Sequence, residues 1–324
     1  MTSLSVIIPA KDVAPYIGDT LNSLTRNHRS DFEYVVIDDG STDATPDIVD
    51  GFRKKLPGLR MLHNSAPTGL SSVRNQGVAA SDGRYVTFLD GDDWLAPGYL
   101  PKAVEAIQVL GVDFIRTDHV QVTGQNRTLH KAPEGRVNQP LPPRSGILPT
   151  FTRSMVDYPY ASTGLLDRRL ADEGLLDFDT RLLTCEDQPW IWRLHLRAGS
   201  FARVPIVGLF YRRDVPGSLT QVGDHRQMHF FDAFEGLFNQ IADDRDADLY
   251  LPKATRAFCS ILINHLDRKK RLRRKDQKQL PVRGRSLLRR IPHHILDPTL
   301  REMGGLRESR LRSLLGPGKM SLTA

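Results

Sequence analysis

The sequence predicts an α/β fold, with a mostly parallel sheet flanked by helices across residues 1–225, followed by a smaller helical and basic region across residues 226–324. Three observations carry this expectation. Apolar runs of strand length alternate with helix-period segments through residues 1–100, two of those runs end in acidic clusters, and the positive charge is confined to the tail.

Val6-Ile7-Ile8 reads as a central strand buried on both faces. Ile17, Leu21 and Leu24 then share one helical face, and Tyr34-Val35-Val36-Ile37 is a second buried strand ending in Asp38-Asp39-Gly40. Thr45 suits an N-cap with Pro46 at the first helical position, and Ile48, Val49, Phe52 and Leu56 keep helical spacing until Pro57-Gly58 stops the run. Residues 59–63 make a third strand and residues 71–80 a helix. Tyr85-Val86-Thr87-Phe88-Leu89 returns to the sheet and delivers Asp90-Gly91-Asp92-Asp93 at its carboxyl end. Both acidic clusters therefore fall at the rim where open α/β sheets bind ligands. Residues 97–110 read as a helix and 112–116 as a strand, after which five prolines between positions 133 and 149 predict an irregular excursion over 117–149. A helix over 188–198 and a strand over 206–211 complete the first region.

A chain of 324 residues with 40% hydrophobic content can bury one large domain and a smaller appendage. The first apolar run is too short for a signal peptide, and no apolar stretch approaches the roughly 20 residues that span a bilayer. Cys185 and Cys259 lack metal-knuckle or disulfide spacing and suit a reducing compartment. The expected location is cytoplasmic, soluble or peripheral at the inner face of the membrane. Net charge is +7, yet residues 226–324 hold 21 Lys+Arg against 11 Asp+Glu while residues 1–225 hold 24 against 27.

Four ordered blocks, Ser5-Val6-Ile7-Ile8-Pro9, Val36-Ile37-Asp38-Asp39-Gly40-Ser41-Thr42-Asp43, Val73-Arg74-Asn75-Gln76-Gly77 and Phe88-Leu89-Asp90-Gly91-Asp92-Asp93, resemble the family 2 glycosyltransferases with the GT-A fold. The resemblance continues through Glu186-Asp187-Gln188 and Tyr211-Arg212-Arg213 to Ser218 and covers residues 3–221. The later blocks also look like the enzymes that glycosylate wall teichoic acid. The resemblance implies a Rossmann-like nucleotide-binding domain that transfers sugar, with inversion, from a nucleotide diphosphate donor, a UDP-sugar first. The expected acceptor is a hydroxyl of a cell-envelope polymer, polysaccharide, polyol phosphate or lipid-linked carbohydrate. The family's processive synthases carry Gln-x-x-Arg-Trp and membrane helices, which this sequence lacks, so one sugar is added at a time.

Carried onto this sequence, Asp90-Gly91-Asp92 corresponds to the family's DxD motif. Its hard oxygens suit Mn2+ or Mg2+ bridging a diphosphate, with Asp92 as the direct ligand, Asp90 near the ribose or a metal-bound water, and Asp93 beside them. Alone, such a tetrapeptide is more often a turn, but a second acidic pair on the same rim favours the ligand reading. Asp39 is placed to accept the N3–H of uracil, and Asp38 to close an Asx-turn. Pro9, Ala10 and Asp12 line the nucleotide pocket, although the family often has an aromatic residue where Lys11 stands. Arg74, and from the late loop Arg212 and Ser218, are expected to reach the nucleotide or its phosphates. Asp187 is the expected catalytic base and Glu186 orients the acceptor or the base, while Asp187 also suits the N-cap of the helix at Gln188. Trp190 and Trp192 cannot share a helical face; both suit the core, with one a candidate sugar-stacking platform.

Residues 267–290 hold 12 Lys+Arg against two acidic residues, interrupted by Leu272, Leu280, Leu287 and Leu288, the pattern of basic amphipathic helices. A solvated helix is the default, and the patch also suits peripheral contact with an anionic membrane or a polyanionic acceptor. Phe230, Phe231, Phe234, Leu237, Phe238 and Ile241 predict packing on the catalytic domain or on a second subunit of a homo-oligomer. The rival reading is a nucleic-acid or polyanion-binding protein with a catalytically inactive nucleotide-binding domain, against which stands the lack of any zinc-finger or aromatic RNA-reading motif. A nicotinamide dehydrogenase is disfavoured by Pro9-Ala10-Lys11-Asp12 in place of a glycine-rich turn.

Overall fold

The computed structural model describes residues 2–219 and 222–316. In chain order the elements are β1 (Leu4–Ala10), α1 (Ala14–Thr25), β2 (Phe32–Asp38), α2 (Thr45–Gly51), β3 (Leu59–His63), α3 (Leu70–Ala79), β4 (Tyr85–Phe88), β5 (Trp94–Leu95), α4 (Tyr99–Leu110), β6 (Phe114–Thr123), β7 (Asn126–His130), β8 (Leu165–Asp167), α5 (Asp187–Arg197) and β9 (Phe201–Arg212). Five helices follow: α6 (His229–Ala242), α7 (Ala247–Asp267), α8 (Arg274–Arg290), α9 (His293–Met303) and α10 (Gly305–Leu315).

The apolar runs become the sheet's centre because each is buried on both faces. All of β1 is buried, and it pairs in parallel with β2 on one side and β4 on the other. The sheet runs β3-β2-β1-β4-β8-β6-β9-β5, with β7 paired to β6. Its first half is parallel, whereas β8 runs antiparallel to both β4 and β6 and the β6–β9 pair is parallel, so the whole is a mixed sheet flanked by helices.

Two local expectations need correction. The segment 117–149 is not irregular from its start: β6 continues to Thr123 and turns at Gly124 (φ +56°) into β7, which returns to His130. The prolines that signalled an irregular excursion all lie beyond that hairpin, where short 3-10 turns and bridges to β9 take over. Thr45 is the first helical residue of α2 and not its N-cap; Asp43 Oδ1 accepts the Thr45 N–H at 2.9 Å. The Thr45 hydroxyl instead accepts the Val13 N–H at 2.9 Å, tying the β1–α1 loop to α2.

The helices after residue 225 pack within the chain. Phe230, Phe231, Phe234, Leu237 and Ile241 join one buried cluster with Trp190, Trp192, Phe114 and Phe201, and Leu272, Leu280, Leu287 and Leu288 enter the same cluster from α8 and its approach. The arginines of α8 are only partly free, since Arg283 pairs with Asp232 and Arg290 with Glu235 on α6. Among the described residues no helix is long and apolar enough to cross a membrane. Residues 317–324 of the basic tail lie outside the described residues.

Candidate functional site

The carboxyl ends of β1, β2 and β4 meet α3 and the start of α5 at one rim, and the Arg74-Asn75-Gln76-Gly77 stretch explains how. A Cβ on Gly77 would lie 2.2 Å from Ile7 Cγ2, so the glycine lets α3 sit directly against β1. Asn75 exchanges two 2.8 Å hydrogen bonds with the backbone of Phe178, fixing the segment that leads into α5. Arg74, with 6% of its side chain exposed, then donates from Nη1 to Glu186 Oε1 at 2.9 Å and from Nη2 to Asp90 Oδ1 at 3.2 Å. Sequence reasoning aimed Arg74 at the nucleotide or its phosphates. In the structure it is a buried link between the acidic cluster after β4 and the acidic pair before α5, stacked over Phe178 and Phe88.

The acidic loop is rigidly built. Gly91 N–H donates to Pro9 O at 3.1 Å, and the Thr20 hydroxyl lies 2.9 Å from Gly91 O and 2.7 Å from Asp93 O. Arg212 braces it from β9: its backbone N–H donates to Asp93 Oδ1 at 2.7 Å and its Nε to Asp92 O at 2.8 Å, with the guanidinium between Trp94 and Tyr16. Burial, then the charge of Asp90, pushes the Asp92 carboxyl up to about 6. Asp93 is driven well above the carboxylate range by burial and by both neighbouring aspartates, and its Oδ2 is buried without a partner.

These carboxylates fit a divalent cation. No three side chains of His, Cys, Asp or Glu converge as a ready-made cage among the described residues, but Mg2+ and its kin typically take one or two carboxylates and complete their shell with substrate phosphates and water. Crowded aspartates whose protons are held abnormally tightly, with one oxygen orphaned, are a donor set that a cation would relieve.

At the end of β2, Asp38 is fully buried, closes the turn through Ser41 N–H at 3.3 Å and contacts His63 Nδ1 at 2.6 Å. Asp39 is held differently. Its Oδ1 accepts from Asn64 Nδ2, Thr68 N–H and the Thr68 hydroxyl, whereas Oδ2 accepts only Gly69 N–H at 2.9 Å. Oδ2 keeps one acceptor direction for a further donor. Pro9 and Ala10 form the buried end of β1 between these loops. Asp12, at φ +49°, receives the Thr42 N–H at 2.7 Å, and its own N–H donates to the Ser41 hydroxyl, so it knits two rim loops together. Ser218 lies on the loop after β9, its N–H bonded to Val215 O.

Asp187 opens α5 without acting as its N-cap; that position falls to Glu186, whose side chain goes to Arg74. Cys185, just before the pair, is held at φ +63°, a conformation a side chain disfavours and one that turns the chain sharply at this point. Burial, then repulsion from Glu186, pushes the Asp187 carboxyl up to about 8, against the pull of Arg74. Trp190 and Trp192 are both core residues, Trp190 stacked on Phe178 at 5.2 Å, and neither offers a sugar platform.

Sequence reasoning missed an aromatic wall that joins the β6–β7 hairpin to the end of β9. His119, His130, Tyr160 and Tyr211 stand ring to ring, with His119–Tyr160 at 4.3 Å, His119–His130 stacked at 5.0 Å and Tyr160–Tyr211 at 5.7 Å. The β6–β7 hairpin supplies both histidines, and reading 117–149 as irregular hid them.

Residues 5–165 match the family described as Glycosyl transferase family 2. The chain is 28% identical over 221 residues to glycosyltransferase EpsJ of Bacillus subtilis, covering 68% of this chain and 63% of that relative. It is 26% identical over 213 residues to the poly(ribitol-phosphate) beta-N-acetylglucosaminyltransferase TarS of Staphylococcus aureus, covering 65% of this chain and 35% of TarS. The matched part thus spans less than two thirds of either relative. The fold superposes on the crystal structure of S. aureus TarS 1-349 in complex with UDP-GlcNAc with a TM-score of 0.72 at 20% identity, over 97% of this chain and 90% of that one. Through residues 5–165, the parallel half-sheet and the acidic rim it carries, this chain belongs to glycosyl transferase family 2 and has a GT-A-like fold.

Proposed function

We propose that this chain is an inverting, non-processive glycosyltransferase that uses a UDP-sugar and a divalent cation to glycosylate a hydroxyl of a cell-envelope acceptor. One observation carries the reading: a single buried guanidinium, Arg74, joins Asp90 of the donor-side acidic loop to Glu186 beside Asp187. Donor and acceptor chemistry are thereby held in fixed register, which a transfer between two bound substrates requires.

Asp39 Oδ2 takes the N3–H of uracil, and Pro9, Ala10 and Asp12 border the nucleoside. Asp92, with Asp90 close by, would hold the cation, which would supply positive charge to offset that of the diphosphate. Arg74 acts through the carboxylates of Asp90 and Glu186 that it orients, and Arg212 braces the acidic loop through Asp92 O and, by its backbone N–H, Asp93. Asp187 removes the proton of the acceptor hydroxyl as its oxygen bonds to the anomeric carbon; the bond from that carbon to the diphosphate oxygen breaks, and UDP departs with the electron pair. Attack from the face opposite the leaving group inverts the centre.

Calorimetry with UDP and Mn2+ tests the donor half, and a screen of UDP-sugars starting with UDP-GlcNAc tests turnover. Asp92→Asn should weaken metal and UDP binding together, while Asp187→Asn should spare UDP binding and lower transfer by about 10²- to 10⁴-fold. UDP binding that ignores Mn2+, or a product of retained configuration, would overturn the corresponding part, and binding without any turnover would favour an inactive relative.

A further inference from the structure

Asp187 opens α5 and Glu186 just before it is held by Arg74, so the placement of both carboxylates depends on the short segment 182–185 that delivers them. That segment is strained at its end. Cys185 sits at φ +63°, and a side chain stays in such a conformation only where its surroundings over-determine it. Three side-chain bonds do so, one at each preceding residue. The Ser71 hydroxyl of α3 donates to Leu182 O at 3.0 Å. Leu183 N–H donates to His229 Nδ1 at 2.9 Å, and the Thr184 hydroxyl donates to Arg226 O at 2.5 Å. Two of the three partners thus come from the start of the C-terminal helical region, where Asp224 caps the 3-10 turn 225–228 that runs directly into α6.

The Leu183–His229 bond differs from the other two in its chemistry. A backbone N–H can only donate, so Nδ1 must accept, which fixes the imidazole as neutral with its proton on Nε2. A protonated ring has a donor at both nitrogens and cannot make this bond. Burial holds the His229 ring below the usual imidazole range. The charges facing it oppose one another: Asp232 of α6 and Asp224 of the preceding turn pull towards protonation, while His225, its ring centre 6.0 Å away, and Arg283 of α8 push against it. Arg283 is itself paired with Asp232 and Asp224 with Arg226, and on the approach to the latched segment Arg181 is paired with Asp179.

Resting on the reading of Asp187 as the base, we propose that His229 is a positioning residue: its neutral imidazole latches the segment 182–185 to α6, keeps Glu186 and Asp187 in register with Arg74, and releases them when it is protonated. Breaking one of three bonds beside a strained turn lets Cys185 relax towards ordinary backbone angles and displaces the carboxylates that follow it. Small displacements of this kind are enough to slow transfer. Among the described residues neither Asp39 nor Asp92 bonds to this segment, so donor binding is spared. The helices after residue 225 therefore belong to the machinery that places the base.

The test uses the full chain with Mn2+ and UDP-GlcNAc and follows its slow hydrolysis, in which water stands in for the acceptor and still has to give up a proton. Asn puts Oδ1 where histidine has Nδ1 and does not titrate, so His229→Asn keeps the latch shut; His229→Phe keeps a ring and removes the acceptor atom. At about pH 8, His229→Phe should lower kcat by about tenfold with UDP-GlcNAc KM and UDP affinity within about twofold of wild type, and His229→Asn should recover most of that loss. On the acid side, where Asp187 is already losing its charge, wild type should fall by roughly a further tenfold as His229 protonates. His229→Asn should lack that extra fall and His225→Asn should keep it. Ring-nitrogen NMR shifts should show a bare Nδ1 on His229 at about pH 8 and a protonated one where the extra fall occurs. A protonated Nδ1 at about pH 8, a His229→Phe kcat within about twofold of wild type, or the same acid limb in wild type and His229→Asn overturns the proposal. So does a His229→Asn variant as slow as His229→Phe, because ring packing and not the bond would then matter. Should His229→Phe fail to fold, the ring shifts and the His229→Asn acid limb decide. Failure of wild type to hydrolyse any UDP-sugar, or Asp187→Asn hydrolysing at the wild-type rate, instead removes the reading on which the latch rests.

Discussion

Replacing Arg74 with Met keeps a stem that packs over Phe178 and Phe88 but deletes the cation that two carboxylates share. Glu186, with 9% of its side chain exposed, loses a 2.9 Å bond and has little water to replace it; Asp90, at 27%, loses a 3.2 Å bond and is partly rescued by solvent. Removing one partner of a buried pair typically costs about 3–5 kcal/mol because the other charge stays desolvated, and most of that should fall on Glu186. Urea unfolding should therefore show that deficit, and adding Glu186→Gln should recover part of it. A deficit under about 1 kcal/mol, or no recovery on adding Glu186→Gln, would refute the account of Arg74 as the site's central counter-ion.

The Asp187 carboxyl, pushed up to about 8, is raised and not depressed, so its contribution to stability is fully present below the ordinary carboxylate range and is lost as pH rises through about 8. Asp187→Asn should accordingly be more stable than wild type at alkaline pH, by at least about 1 kcal/mol, while its transfer is lowered; wild-type transfer should rise with pH over the same interval, and an acid-optimal profile would deny Asp187 the role of base. Gly77→Ala drives a Cβ into Ile7 and should cost about 1–3 kcal/mol in urea unfolding, with a loss of UDP affinity as α3 and Arg74 are displaced; a neutral effect would mean that α3 can back away from β1.

The acidic rim was legible because short-range chemistry writes it: apolar runs ending in Asp38-Asp39 and in Asp90 to Asp93 can only deliver those carboxylates to the rim of a parallel sheet. Their partners were not legible. Arg74 looks equally able to reach a phosphate or a carboxylate, and only the packing of Gly77 on Ile7 and the Asn75 clamp on Phe178, contacts across more than one element, decide for Asp90 and Glu186. The aromatic wall was hidden for a different reason. Its residues come from β6, β7, the segment before β8 and the end of β9, so no sequence window contains more than two of them.

The tail illustrates how charge counting alone divides a chain more sharply than packing does. Deleting everything from Asp267 onward, the experiment that composition suggests, would strip Leu272, Leu280, Leu287, Leu288 and Leu300 from the cluster that also holds Trp190 and Phe230, and would test folding instead of surface binding. Lys253 on α7 reaches further, to Thr152 O in the segment before β8. The surface question is better put to side chains outside the core. Arg283 and Arg290 are engaged by Asp232 and Glu235, whereas Lys269, Lys270, Lys275 and Lys278 are solvent-facing and make no ion pair among the described residues. If the basic stretch docks on an anionic surface, each of these lysines contributes on the order of 1 kcal/mol there, so reversing all four to Glu should abolish sedimentation with phosphatidylserine vesicles at low salt while leaving the melting temperature and UDP affinity in place. Unchanged vesicle binding in that variant, or wild-type binding that persists at high salt, would show that the stretch is a solvated brace for α6 and nothing more.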